Sequence, residues 1–273
     1  MNLTAILHAV LLGLTVALSH PREPSNELSL PAARRSRLTD RLNTLFTHNS
    51  SDTPPTVTYN ANWAGAVLTG AGYRSATGTI QVPAIRLPPG ADSNVLHAVS
   101  AWVGIDGEYA CPNAILQVGV DMYMNHSVPA YWAWLEWFPN RSTYLTDFVI
   151  RPGDSITMTV MATSRSSATF SITNHATGQK DSASLADQAP LLCGFNAEWI
   201  VEDFWGSDGV PLVDFGSVAF TGALFETDTG ISGGVEGAKM DGVKEKAGGP
   251  AVIECEKLGG SELTCEYKKG ASP

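Results

Sequence analysis

Short apolar runs separated by turn residues recur along most of this chain, from Trp63 to about Phe220. The runs are rich in Val, Ile, Thr, Trp and Tyr, and Gly, Pro, Asn, Asp and Ser fall between them at fairly regular spacing. No helical period competes with this pattern, so it predicts an all-β domain, a sandwich or jelly roll. The predicted strands are Ala64–Leu68, Gly78–Val82, Ala98–Ile105, Ala114–Asp121, Tyr131–Phe138, Ser155–Ala162, Thr169–Thr173, Ala197–Phe204 and Gly216–Thr221.

The pattern changes after these strands. Residues 222–249 are glycine-rich and weakly hydrophobic, which predicts a long loop or a poorly ordered insertion before a final cysteine hairpin. We therefore expect one domain over residues 56–273 that contains this loop. All-β domains of such a length commonly stay undivided.

The first residues are typical of a secretory signal peptide, residues 1–19. Their apolar centre, Ile6–Leu18, is too short to span a membrane and is followed at once by His20-Pro21. A buried N-terminal helix is the alternative, since this start lacks Lys and Arg. We expect a secreted, extracellular protein that does not span a membrane. Sequons for N-glycosylation, which are compatible with export, begin at Asn49, Asn125 and Asn140.

Residues 20–55 have the composition of a basic pro-segment. Arg34, Arg35, Arg37 and Arg41 cluster there, whereas the whole chain has a formal net charge of -10. A basic leader beside an acidic body predicts that the pro-segment inhibits the domain at neutral pH and releases it as carboxylates protonate. A disordered basic linker is the alternative. The acidic balance argues against nucleic acid as a partner.

Four cysteines follow the leader, and an even number behind a signal peptide favours disulfides over metal or redox chemistry. Cys255 and Cys265 form the most local pair, because Leu258–Ser261 has the composition of a hairpin turn that would place them opposite one another. This pairing leaves Cys111 with Cys193.

Side-chain alternation splits four of the predicted strands into two faces each. One set of faces is apolar and contains Val103, Ile105, Leu116, Val118, Val120, Ala133, Leu135 and Trp137. The other set mixes acids, an amide and aromatic rings: Trp102, Asp106, Gln117, Gly119, Asp121, Trp132, Trp134, Glu136, Phe138, Glu198, Ile200, Glu202 and Phe204. If these strands are neighbours, the second set floors an acidic groove with aromatic walls. Solvent-facing acids beside core tryptophans are the alternative, which alternation alone leaves open.

Two short motifs suggest chemistry that the rest of the chain does not support. Gly230–Gly234 matches the serine-hydrolase pattern G-x-S-x-G, but no apolar strand precedes it and no histidine follows it. Asp228-Thr229-Gly230 is similar to the aspartic-protease turn, which needs two copies. The histidines of the domain, His97, His126 and His175, are far apart, so we expect neither a metal site nor a histidine triad.

Five ordered segments are more specific. They are Asn62–Gly65, Ala101–Gly107, Ala114–Asp121, Trp134–Trp137 and Asn196–Phe204. Together they resemble the fungal glutamic peptidases, the eqolisins, which are pepstatin-insensitive acid proteases. The resemblance implies a sandwich of two large antiparallel sheets, a concanavalin-like jelly roll, with the activity of a secreted acid endopeptidase on polypeptides.

The resemblance also implies roles for particular residues. Gln117 and Glu202 would hold the attacking water, with Glu202 as general base and Gln117 as a neutral donor to the oxyanion. Cys111 pairs with Cys193 in the same comparison. The residues expected to line the substrate groove are Trp102, Asp106, Asp121, Trp134, Glu136, Phe138 and Phe204.

Some features leave alternatives open. Phe138 stands where a tyrosine is expected, and Trp205 stands where an acid is usual. Glu198 shares a face with Glu202, roughly 13 Å away by strand rise, and is the alternative catalytic carboxylate. A glycoside hydrolase with paired acids, or a lectin-like binding module without activity, are the alternative functions. We expect a monomer that works without a cofactor.

Overall fold

The computed structural model describes residues 57–108, 111–203 and 209–268, and the regular elements in these residues are all strands. They are β1 Val57–Asn60, β2 Trp63–Thr69, β3 Tyr73–Gln81, β4 His97–Ile105, β5 Ile115–Asn125, β6 Val128–Phe138, β7 Thr143–Tyr144, β8 Ser155–Ser164, β9 Ser167–Asn174, β10 Lys180–Leu185, β11 Asn196–Glu202, β12 Ser217–Thr227, β13 Ser232–Gly233, β14 Lys239–Val243, β15 Ile253–Gly259 and β16 Glu262–Tyr267. Within the described ranges, no helix is present that could cross a membrane. The predicted signal peptide, the pro-segment and the Asn49 sequon lie outside the described residues.

Hydrogen bonding joins fourteen of these strands in one continuous order, β10-β9-β8-β3-β12-β16-β15-β14-β2-β11-β4-β5-β6-β7, while β1 pairs with β14 and β13 pairs with β12 outside this path. Each pair of neighbours in this order is antiparallel. The sheet curls back on itself, because β3 packs on β4 and β11, and β8 packs on β4 and β5. Two antiparallel layers therefore enclose the core, which confirms the predicted all-β sandwich.

The core between the layers is built from alternate side chains of facing strands. Ile80, Ile156 and Val160 come from one layer and meet residues of β4, β5 and β6 from the other. The apolar faces assigned from sequence all enter this core: Val103, Ile105, Leu116, Val118, Val120, Ala133, Leu135 and Trp137. Each such side chain contributes about 1.5–3 kcal/mol when fully buried, so the core fixes which face of these strands points outward.

Trp199 connects the layers by a hydrogen bond. Its ring lies in the core, and its indole Nε1 donates to the backbone carbonyl of Thr77 in β3 at 2.7 Å. The bond satisfies a buried donor that would otherwise be costly to bury. Its sequence neighbours Glu198 and Ile200 point to the opposite face of β11, away from the core.

Both predicted disulfides are present. Cys255 and Cys265 lie opposite one another in the β15–β16 register and form one bridge. Cys111, after β4, bonds to Cys193, before β11.

The prediction of a long loop over residues 222–249 is wrong in three places. β12 continues to Thr227, β13 at Ser232–Gly233 pairs with β12, and β14 at Lys239–Val243 pairs with β2 and β15. Within β14, Gly242 allows close packing, because a Cβ there would lie 2.8 Å from Cε1 of Tyr59.

Candidate active site

Five neighbouring strands, β2, β11, β4, β5 and β6, carry the polar side chains on the face that points away from the core. Partners in register across a sheet share a face, so the strand pairing sorts these residues into three rows. The first row is Val67, Glu198, Gly104, Gln117 and Glu136. The second row is Gly65, Ile200, Trp102, Gly119 and Trp134, and the third row is Trp63, Glu202, Ser100, Asp121 and Trp132. We call these three rows the polar face.

The carboxylates of the polar face are buried, although charged side chains are usually exposed. Glu198, Glu202 and Asp121 have no exposed surface, and Glu136 is 1% exposed. Trp63, Trp102, Trp134 and Ile200 form a second apolar cluster among them, against which Phe138 and Tyr144 pack. Carboxylates in such surroundings must be paired or hydrogen-bonded. The four strands are neighbours, so the acids and aromatic rings that alternation assigned to one face do lie together on one face of the sheet.

Trp102 fixes the carboxylate of Glu202. Its indole Nε1 donates to Oε2 of Glu202 at 2.9 Å, from the neighbouring strand β4. The ring of Trp63 packs edge-on against that of Trp102, with centroids 4.8 Å apart and planes at 79°. The contact with Trp63 holds the indole of Trp102 in place. The indole in turn gives Oε2 of Glu202 a fixed hydrogen-bond partner, which sets the orientation of the carboxylate.

Glu136 orients Gln117. The two residues lie directly opposite in the β5–β6 register, and Nε2 of Gln117 donates to Oε2 of Glu136 at 2.5 Å. A carboxylate oxygen accepts hydrogen bonds, so it is the amide nitrogen of Gln117, not its oxygen, that faces Oε2 of Glu136. The orientation of the Gln117 carboxamide is thereby set by a neighbour.

Two glycines make room for the indoles. A Cβ on Gly119 would lie 2.6 Å from Cβ of Trp102 and 2.6 Å from Cζ2 of Trp134. A Cβ on Gly104 would lie 2.9 Å from Cζ3 of Trp102. Glycine is therefore required at both positions for the indole rings to lie against the sheet. The rings occupy the second row, between the row that contains Gln117 and the row that contains Glu202.

Asp121 is held by three hydroxyl groups. Ser100 Oγ donates to Oδ1 at 2.7 Å, and Tyr123 and Tyr144 donate to Oδ2 at 3.1 and 2.7 Å. Sequence reasoning missed all three donors. Tyr123 lies two residues past the predicted end of its strand, and Tyr144 lies on the two-residue strand β7. Extending the alternation beyond Asp121 would have found Tyr123.

Asp106 has a different place from the one predicted. Strand β4 ends at Ile105, and Asp106 adopts φ 66°, so the alternation that placed it beside Trp102 does not apply. Its carboxylate accepts hydrogen bonds from the backbone amides of Cys193, Gly194 and Phe195 at 2.7, 2.9 and 2.7 Å. Asp106 thus anchors the segment that leads into β11, which corrects its expected position on the groove wall.

The remaining predicted residues are distributed as follows. Glu198 is fully buried in the first row, between Val67 and Gly104. Phe204 and Trp205 lie outside the described residues. Asn125 ends β5 at a tight turn with positive φ at His126 and Ser127, and Asn140 is exposed.

Strand β14 extends the polar face beyond β2, where sequence reasoning predicted only a loop. Lys239 lies opposite Val67, and Asp241 lies opposite Gly65. Nζ of Lys239 is 3.1 Å from Oε1 of Glu108 and 3.3 Å from Oδ1 of Asp241, so one cation pairs with two buried acids.

Comparison with known proteins identifies the family of this chain. The chain matches the Peptidase A4 family over residues 61–267. It is 40% identical to aspergillopepsin-2 of Aspergillus niger over 225 residues, which is 77% of this chain and 78% of that protein. It is 36% identical to scytalidopepsin B of Scytalidium lignicola over 219 residues, 77% of this chain and 79% of that protein. A crystal structure of scytalido-glutamic peptidase with a peptide-based transition state analog aligns with a TM-score of 0.65, at 36% identity over 76% of this chain and 98% of that one.

The β-sandwich with a buried, acid-rich polar face defines a glutamic-type peptide hydrolase. The chain belongs to the Peptidase A4 family, the eqolisins. The resemblance found in the sequence is thereby confirmed.

Proposed function

We propose that the polar face is the active site of a secreted acid endopeptidase in which Glu202 and Gln117 act on a water molecule. The observation that carries this proposal is the hydrogen bond from Trp102 to Glu202 on a face that also holds Gln117 in a fixed orientation. A general base and an oxyanion donor need orientation before substrate arrives, and both have it here.

In the proposed reaction, Glu202 takes a proton from water while the water oxygen attacks the carbonyl carbon of the scissile amide. The carbonyl oxygen becomes an oxyanion, to which the Gln117 amide donates. A carboxamide has two N–H donors, so one can bond Glu136 while the other serves the oxyanion. Glu202 then returns the proton to the amide nitrogen, the C–N bond breaks, and the amine leaves.

The residue types suit acidic conditions. The carboxamide of Gln117 does not titrate, so it remains a donor at any working pH. Glu202 and Glu136 share one face, and carboxyl groups that interact titrate together. We therefore expect the activity to follow the protonation of several groups at low pH.

The leader sequence supports export and latency. We propose that residues 1–19 are removed on secretion and that the basic residues 20–55 inhibit the acidic domain until carboxylates protonate. Two disulfides fit an oxidising compartment. We propose a monomer that cleaves polypeptides, with bulky side chains favoured by the aromatic walls.

The test is cleavage of an unfolded protein between about pH 2 and 7 by the matured wild type, with pepstatin present. We expect cleavage only at acidic pH, and we expect it to resist pepstatin. The activity should vanish in Glu202→Gln and survive in the exposed control Glu256→Gln. A Glu202→Gln protein that keeps its activity, beside an inactive Glu198→Gln, would move the catalytic role to Glu198. Release of reducing sugar from a polysaccharide, without peptide cleavage, would instead favour a glycoside hydrolase.

A further inference from the structure

Two phenols converge on one buried carboxylate at the edge of the polar face. Tyr123 comes from β5 and Tyr144 from β7, yet both donate to the same oxygen, Oδ2 of Asp121. Their own hydroxyl groups lie 3.1 Å apart. The ring of Tyr144 also packs edge-on against Trp132, the neighbour of Asp121 in the third row, with centroids 6.5 Å apart. We call Tyr123 and Tyr144 the phenol pair.

Asp121 lies in the same row as Glu202 but two strands away from it. Ser100 is opposite both residues, in register with Glu202 on one side and Asp121 on the other. Two strand spacings therefore separate Asp121 from Glu202, about 10 Å between their backbones. Asp121 therefore shares the polar face with Glu202 and lies to one side of it.

The donors determine how well Asp121 is placed. Charge-assisted hydrogen bonds are shorter and stronger than neutral ones, and a phenol has few rotatable bonds, so it loses little freedom when it holds a partner. The hydroxyl of Ser100 holds the other oxygen, Oδ1. The phenol pair adds two donors to Oδ2 from two different strands, which restricts the carboxylate to one orientation.

We propose that Tyr123 and Tyr144 are positioning residues that set substrate affinity by fixing Asp121 as one wall of the groove. The proposal rests on the proposed function and extends it. In this proposal Asp121 contacts substrate beside the scissile bond, and the phenol pair acts on substrate through Asp121. Loss of the two hydroxyl groups therefore weakens substrate binding while the reaction step at Glu202 continues.

The experiment compares Tyr123→Phe, Tyr144→Phe and the double variant with wild type in steady-state cleavage of one peptide. The double variant is expected to raise KM about tenfold or more while kcat changes less than about twofold, as for a lost contact of charged-hydrogen-bond strength. Tyr131→Phe is the matched control, because its phenol also donates a hydrogen bond, to the carbonyl of Pro83, but lies on the other face of β6. A purely structural effect would lower the active fraction, and so the apparent kcat, without changing KM.

A second cycle tests whether the effect passes through Asp121. In an Asp121→Asn background the double variant should add less than about twofold to KM, because coupled residues are not additive. An unchanged KM in the double variant, or an equal rise of KM with and without Asp121, overturns the proposal. If the double variant is unfolded by near-ultraviolet circular dichroism, the two single variants decide by the same criteria.

The two proposals fail in different ways. An inactive wild type, or an active Glu202→Gln, removes the proposed function and this inference with it. An active wild type with an inactive Glu202→Gln and a wild-type KM in the phenol variants removes this inference alone.

Discussion

Glu136 lies directly opposite Gln117 in the β5–β6 register, and its Oε2 accepts a hydrogen bond from the amide nitrogen of Gln117 at 2.5 Å. The amide that is proposed to stabilise the oxyanion is therefore oriented by a carboxylate on the neighbouring strand.

Glu136→Gln should lower kcat without unfolding the protein. The new amide can present a nitrogen to Gln117, and the carboxamide then loses its single favoured orientation. We expect kcat to fall by about 10- to 100-fold, less than the roughly 10²- to 10³-fold loss on removing a donor outright in Gln117→Ala. Steady-state kinetics of the two variants side by side checks the order, and equal kcat in wild type and Glu136→Gln would contradict it.

Trp102→Phe should separate the indole hydrogen bond from ring packing. A hydrogen bond to a charged group contributes about 1.5–3 kcal/mol, so the loss of the donor to Glu202 should lower kcat/KM about 10- to 100-fold. Trp199→Phe is the control, since it removes an indole donor from the core, and should reduce stability with kcat nearly unchanged. Equal effects of the two substitutions on kcat would argue against a specific bond to Glu202.

Gly119→Ala should disturb both the stability and the activity of the enzyme. The added Cβ meets Trp102 and Trp134 at 2.6 Å, and such overpacking costs about 1–3 kcal/mol. Gly259→Ala is the matched control, because a Cβ there has no neighbour within 4 Å. Urea denaturation at acidic pH compares the unfolding free energies; a Gly119→Ala protein as stable as the control would show that the indoles have room to move.

Removal of the two disulfides should have unequal effects. The Cys111–Cys193 bridge closes a loop between residues 82 positions apart, and the Cys255–Cys265 bridge closes a loop between residues 10 positions apart. On chain-entropy grounds, the first bridge should contribute about 4–5 kcal/mol and the second about 3 kcal/mol or less. Paired Cys→Ala variants and their denaturation midpoints check this order, and a larger loss for the short bridge would contradict it.

Tyr131 should contribute to an alkaline loss of stability. Burial raises the pKa of its phenol, and the backbone amide of Ile85 lowers it in part. A folded-state pKa above the unfolded value of about 10 means that the contribution is complete below that pH and is lost as pH rises through the folded pKa. Unfolding free energies measured above about pH 10 should therefore fall more steeply for wild type than for Tyr131→Phe, and parallel curves would be the contrary result.

Strand periodicity explains why so much of the polar face was predictable. Alternation is fixed by strand geometry, so assigning Leu116 and Val118 to the core also assigned Gln117 and Asp121 to the opposite face. All nine predicted strands exist, with ends that differ by several residues at some positions. The register between strands, which places Glu136 beside Gln117, required the structure.

The errors have physical causes of their own. Asp106 left the expected face because one residue with positive φ ends the alternation. Tyr144 was missed because a two-residue strand is too short to show alternation. The strand Lys180–Leu185 was missed because a polar edge strand resembles a loop in sequence. Lys239 and Asp241 were missed because glycine-rich composition was interpreted as disorder.

The position of β14 has a consequence for synthesis of the chain. This strand, at residues 239–243, inserts between β2 and β15, so β2, which begins at Trp63, receives one of its two neighbours only after almost the whole domain has been made. Until then β2 is an open edge with unpaired backbone groups, of the kind that promotes pairing with other chains. Contacts of such long sequence separation also fold slowly. A nascent chain that stops short of residue 239 therefore lacks one strand of the sheet that carries the polar face, and it has an edge prone to aggregation.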